Sequence, residues 1–317
     1  MAVQIPTLNE LYLSIKGDLE SEINISIPIF GKAYLNGLAL VQAAKLKLIY
    51  LAIASTQKNI FPDLAESELV GGTLERFGRV KLNRNPFPPT AGQYTVTVTG
   101  DIGATINANT TFKSDDSSVN AGKLFILDTA FTFSAITGSV VLRALEGGLD
   151  SSLSISDTLT ATAPILNGEE AATVTAEFVS PLSAETLEDY RDKVVAAFRE
   201  EPQGGAATDY RLWSSDAQGV KKVYPYAKVD FPNEVEVFVE ATLADSIDGK
   251  GTPTTTILQT VGNVIEFDPD TTRPLNERGR RPLACFNVEV KAVSIKSVDV
   301  VITGFIGLTP AIETSIF

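Results

Sequence analysis

Several stretches of this 317-residue chain hold side chains that could do chemistry. Asp115 with Asp116 and Glu169 with Glu170 are adjacent carboxylates. Neighbouring positions on a strand point to opposite faces, however, so neither pair is a ready acid/base couple, which needs two carboxyl groups about 5 to 10 Å apart in one cleft. "DPD" at 268–270 could offer oxygen ligands to calcium, but the twelve-residue loop with its closing glutamate is missing, and an Asp-Pro turn is the expectation. "DGKGT" at 248–252 has the look of a phosphate loop, yet Lys250 is followed by glycine and an earlier glycine is lacking, so it reads as a turn. Cys285 has no base near it in sequence and is expected to pack as a small hydrophobe. Arg273, Arg278, Arg280 and Arg281 form the one dense basic cluster, which in an acidic chain fits a carboxylate-rich partner or subunit better than nucleic acid. Trp213 fits an interface anchor and a core residue equally well.

No histidine occurs in the sequence. That removes Ser-His-Asp and Cys-His nucleophiles and histidine-based zinc sites, and leaves carboxylate-only chemistry open. Twenty-six Lys and Arg stand against 39 Asp and Glu, a formal charge of −13, which argues against a phosphate-neutralising surface. A lone cysteine cannot close an intrachain disulfide, so stability must come from packing or assembly. No cofactor is implied.

The elements that would position these residues fall into blocks. "MAVQIPTLNELYLSIKG" lacks the cationic and apolar runs of a secretion signal; Thr7 and Glu10 instead form a capping box ahead of Leu8, Leu11, Tyr12, Ile15, Leu19 and Ile23 at helical spacing. A second helix is expected from about Lys32 to Thr56. It is apolar enough to suggest a membrane span, but Gln42, Lys45 and Lys47 interrupt its middle, and a helix covered on most sides, partly by another chain, is the better reading. Leu38, Leu46 and Ile49 on it, with Arg76 further on, are candidate interface residues.

From 91 to 180 the pattern turns to short Thr-rich strands with Gly, Asn, Asp and Ser turns, the signature of a small sandwich or barrel. After Pro181, Ser183 is expected to cap a helix, a Trp213 helix stops at Gly219, two strands follow, "TPTTTILQTVGNVI" covers the sheet, and "CFNVEVKAVSIKSVDVVITGF" returns to strand. The reading is an α+β multidomain chain: a helical region at 1–85, a sandwich-like all-β domain at 91–180, an α+β domain at 181–305 and an extension at 306–317. Pro86, Pro88 and Pro89 stiffen the joint between the first two.

Taken in order, "GGTLERFGRVKLNRNPFPPTAGQYTVTVTG", "GDIGATINANTTFKS", "EFVSPLSAETLEDYRDKVVAAFREEPQGGAATDYRLWSSDAQGVKKVYPY", "DGKGTPTTTIL" and "TTRPL" resemble the baseplate J-like family over about residues 70 to 303. Members are wedge components of contractile phage tails and related injection systems. The "G-G-x-D-x-E-S" usual before the helix is represented only by "AEFVSPLSAETLEDYR". The resemblance implies a structural, non-enzymatic baseplate protein, located in the virion tail and assembled in the host cytoplasm. It implies self-association into wedge dimers and a ring, contacts with hub, sheath and fibre-attachment proteins, and neither nucleic acid nor a membrane span. Two other classes stay open on the residues: a receptor- or glycan-binding fibre protein using the β region as its head, with Tyr94, Phe112, Phe125, Phe131, Phe133 and Phe178 as its aromatics, and a carboxylate-dependent glycosidase.

Overall fold

The computed structural model describes residues 5–23, 33–67, 71–201 and 203–296, and within them the chain is mixed α+β. Helix α1 (Leu8–Ile23) starts on the expected capping box: the Thr7 N–H donates to Glu10 Oε2 at 2.7 Å and the Glu10 N–H to Thr7 Oγ1 at 3.2 Å. Helix α2 (Ala33–Lys58) packs on α1 through Ala39 and Ala43, small residues that let the backbones approach. Helix α3 (Thr73–Lys81) ends before the proline-rich joint.

Eight strands follow: β1 (Gln93–Gly100), β2 (Thr105–Ile106), β3 (Thr111–Ser114), β4 (Leu124–Ile126), β5 (Phe131–Thr132), β6 (Thr137–Ala144), β7 (Thr158–Ala161) and β8 (Gly168–Val179). Six of them close into a barrel in the order β1-β6-β4-β3-β7-β8, with β2 and β5 pairing beside it. The sandwich-like arrangement expected from sequence is therefore replaced by a closed sheet. The reason is β1, which hydrogen-bonds to β6 on one side and β8 on the other and so leaves no free edge in the barrel. Tyr94, Val96 and Val98 alternate inward and are fully buried, while Thr95, Thr97 and Thr99 face out. Register shifts along the β1–β8 pair supply the bends a small barrel needs.

Beyond the barrel come α4 (Leu187–Arg199), α5 (Ala207–Ser214), β9 (Val220–Ala227), β10 (Glu234–Ala241), α6 (Thr255–Glu266) and β11 (Asn287–Ala292). Ser183 does not cap α4. Its N–H goes to Asp245 Oδ1 at 2.7 Å, and Thr186 takes the cap by accepting the Asp189 N–H at 3.1 Å. β9 and β10 are antiparallel, whereas β10 and β11 are parallel and joined through α6, the crossover that parallel strands require. Ile257, Val261, Val264 and Ile265 bury one face of α6 on Val223, Val237 and Val239. The strand expected to run on past β11 stops at Ala292, since 293–296 are irregular; 297–305, with the 306–317 extension, lie outside the described residues.

Three separate apolar clusters result: one in the barrel, one under α6, and a small one where Leu74 of α3 meets Tyr190 and Val194 of α4. That last contact depends on Gly78, since a Cβ there would stand 1.8 Å from Tyr190 Oη.

Candidate functional site: the joint and the uncovered hairpin

The segments that join these parts are held together around Arg84, just past α3. Its Nη1 and Nη2 donate to Glu185 Oε2 and Oε1 at 2.7 and 3.1 Å, a two-pronged pair with both side chains nearly buried. Nη2 also donates to the Ser215 carbonyl at 3.0 Å, and the guanidinium lies 3.9 Å from the centre of the Phe87 ring. Tyr190 Oη donates to the Arg84 carbonyl at 2.8 Å, so α4 grips the same residue by its backbone. Glu185 in turn accepts from the Phe87 N–H at 3.1 Å and Lys193 Nζ at 2.8 Å.

Charge at this joint is settled within the chain. Burial pushes the Glu185 carboxyl up, but the Arg84 hydrogen bond and the charges of Lys193 and Arg84 outweigh it and hold the group below the usual carboxylate range. Asp216, 2.7 Å from Arg280, goes the other way: burial raises it and the Arg280 and Arg84 charges offset only part of the cost.

The barrel is tied to the same node. Thr90 and Leu182 exchange backbone hydrogen bonds at 2.9 and 3.2 Å, and Gln218 Nε2 donates to the Pro88 and Ser183 carbonyls, each at 2.8 Å. A Cβ on Gly147 would lie 2.3 Å from the Pro89 carbonyl oxygen, so the barrel's base rests directly on the proline segment. Beside Arg84 opens a cleft of about 690 Å³ lined by Lys81, Phe87, Phe198, Trp213, Asp268 and Arg280 among others.

The candidate arginines fall into two settings. Arg273, Arg278, Arg280 and Arg281 gather near Asp268: Arg273 and Arg280 pair with it at 2.8 and 3.2 Å, Arg278 Nη1 donates to its carbonyl at 3.3 Å, and Arg281 pairs with Glu266 at 3.2 Å. Arg273, Arg280 and Arg281 thus find carboxylates in the chain itself, whereas Arg278 meets a backbone carbonyl. Arg76 stands apart, exposed on α3. Trp213 is half-buried, edge-on to Tyr210 at 5.3 Å, and both packs on the α6 cluster and lines the cleft.

Leu38, Leu46 and Ile49 sit with Leu40, Val41, Leu48, Leu51 and Ile53 on the exposed surface of α2. Leu48 and Ile49 are 66% and 54% exposed, so α2 presents large apolar side chains at the surface. By length and composition α2 could also cross a membrane, although Lys45 and Lys47 stand in its middle.

The residues singled out for chemistry are dispersed. Asp115 accepts from Thr160, Asp248 forms a tight turn with Lys250 and Thr252, and its carboxyl is held down to about 2 by the Thr252 hydroxyl and the Lys250 amide. Cys285 is half-buried, its Sγ 3.4 Å from the Asn287 carbonyl. Among the described residues no group of three or more His, Cys, Asp or Glu could hold a metal ion. Of the six barrel aromatics, Tyr94, Phe112, Phe125 and Phe133 are core, Phe131 packs against it, and Phe178 is exposed. Sequence reasoning missed Arg84 and Glu185, which lie 101 residues apart.

Comparison with known proteins bears on the segment that carries α5, the β9–β11 sheet and α6. Residues 202–292 match the family model described as the Baseplate J-like central domain. Over this segment the chain is similar to the Baseplate J-like central domain. The motifs within it, from the Trp213 helix through "DGKGTPTTTIL" to "TTRPL", are among those that carried the resemblance. No curated protein matches the chain by sequence. Among solved structures it is similar to a chain of the 6-fold symmetrised cryo-EM structure of the anti-feeding prophage baseplate. That likeness has 8% identity and a TM-score of 0.38 over 90% of this chain and 70% of that one, too distant to define the fold. In the J-like domain β10 is central, and Asp216, Asp268 and Arg280 at its margin reach the Arg84 joint.

Proposed function

We propose that the chain is a structural wedge of a contractile-tail baseplate, working through shape and adhesion to other subunits with no substrate turnover. In this reading the helical region (1–85), the β domain (91–180) and the α+β domain (181–305) are three parts of one lever, and it joins hub, sheath and fibre attachments around the tail axis. The carrying observation is the pairing of the J-like domain with a hairpin whose longer helix leaves eight large aliphatic side chains exposed. An isolated chain gains little from that surface, since each such side chain gives about 1.5–3 kcal/mol only when covered. The ion-paired joint supports the same reading, because rigid coupling between parts passes displacement on rather than absorbing it. α2 is the principal inter-subunit surface, with the J-like domain as the second.

The test is self-association of the purified chain by light scattering and mass photometry over a range of concentrations. Association is expected, and Leu48→Asp/Ile49→Asp should abolish it. A well-behaved monomer at every concentration contradicts the proposal, as does the finding that purified tails contain the chain in no fixed multiple.

A further inference from the structure

The far end of the barrel carries a second apolar surface. β1 rises from Gln93 at the joint to Gly100, where three loops converge: the Gly100 N–H donates to the Ile136 carbonyl at 2.9 Å, and the Asp101 N–H to the Asn167 carbonyl at 2.8 Å. Ile102, Ile136 and Leu166 project from these loops and are 71%, 67% and 81% exposed. The end is rigidly built, because the Gly103 N–H also donates to Phe133, whose ring is core. It lies at the opposite end of the barrel from the base that rests on Pro89, and so points away from the joint.

Its charge is one-sided. Asp101 is exposed beside Ile102, and Glu169 and Glu170 are both exposed at the start of β8, where the shift in the β1–β8 register breaks strict alternation; no Lys or Arg occurs in 99–107, 129–138 or 162–170. α2 is the converse: Lys45, Lys47 and Lys58 with no Asp or Glu along its length, set among exposed Leu and Ile side chains. Two α2 helices packed on each other would bring like charges together, whereas α2 against the barrel end matches apolar to apolar and cation to carboxylate.

We infer that the barrel's far end docks on α2 of a second copy of this chain, with Ile102, Ile136 and Leu166 seated on its apolar surface and Asp101, Glu169 and Glu170 facing its lysines. Such a contact is heterologous, joining one patch to a different one, and therefore repeats from copy to copy as a ring requires. It rests on the self-association proposed above and names the surface that α2 meets.

Charge exchange tests it. Lys45→Glu alone and Glu169→Lys/Glu170→Lys alone should each weaken self-association by about tenfold or more. Mixing the two variants should restore a complex, since the carboxylates of the first then meet the lysines of the second. Ile136→Asp/Leu166→Asp should weaken association as Leu48→Asp/Ile49→Asp does. If the α2 variants abolish association while all barrel-end variants leave it intact, this docking is wrong and the self-association reading stands. If the wild-type chain does not associate, or α2 partitions into phosphatidylcholine vesicles, both fall.

Discussion

The joint around Arg84 and the α1–α2 hairpin face opposite situations. At the joint, buried charges find partners in the same chain: Arg84 with Glu185, Arg280 with Asp216, Lys193 with Glu185. On the hairpin, two alanines meet α1 and most of the large apolar side chains of α2 meet water. On the proposed wedge reading, the contrast separates the work of holding one chain in shape from the work left to assembly. Charged groups at the joint are matched within the chain, while the apolar area of α2 stays exposed.

The sharpest way to break the contrast is to remove the joint's central cation. Arg84→Ala strips a nearly buried carboxylate of its two-pronged partner and should lower unfolding stability by about 3 kcal/mol, read by urea denaturation. The exposed Arg143–Asp128 pair is the control, and Arg143→Ala should barely move the midpoint. Next comes the barrel's seat. Gly147→Ala puts a methyl group against backbone at Pro89 and should cost about 1–3 kcal/mol, with the barrel's own core unchanged by near-ultraviolet dichroism.

A smaller effect is expected from pH. Because the Glu185 carboxyl is held low in the folded chain, its contribution is complete above the ordinary glutamate value of about 4.3 and is lost as pH falls through the depressed folded value. Asp216 is raised, so its contribution has the opposite sign and grows on acidification. In urea titrations from about pH 6 downward, Glu185→Gln should flatten the acid loss and Asp216→Asn should steepen it. The least effect on stability belongs to the hairpin: Leu48→Asp should shift unfolding by no more than about 0.5 kcal/mol. The same change should reduce self-association.

What could be read from sequence follows how local the cause is. The α1 capping box is a three-residue matter between Thr7 and Glu10, and α2 declared itself by being apolar on every side. The alternation of β1 marked its buried face, but sandwich and barrel share that alternation, and the choice between them lies in β1 pairing with β8 some 80 residues away. α4's cap moved from Ser183 to Thr186 because a loop 62 residues on claims the Ser183 amide. The arginine cluster was visible while its counter-charges were not: Asp216 lies 64 residues from Arg280. The joint was legible as three prolines, and its lock was illegible because Arg84 and Glu185 meet only once α3, α4 and the barrel have been placed.

The most direct measurement of the central claim is hydroxyl-radical footprinting of α2, read by mass spectrometry at Leu46, Leu48 and Ile49, in the dilute chain and in purified assembled tails. The account predicts strong labelling in the dilute chain and protection at all three residues in the assembly. Equal labelling in both states would contradict it.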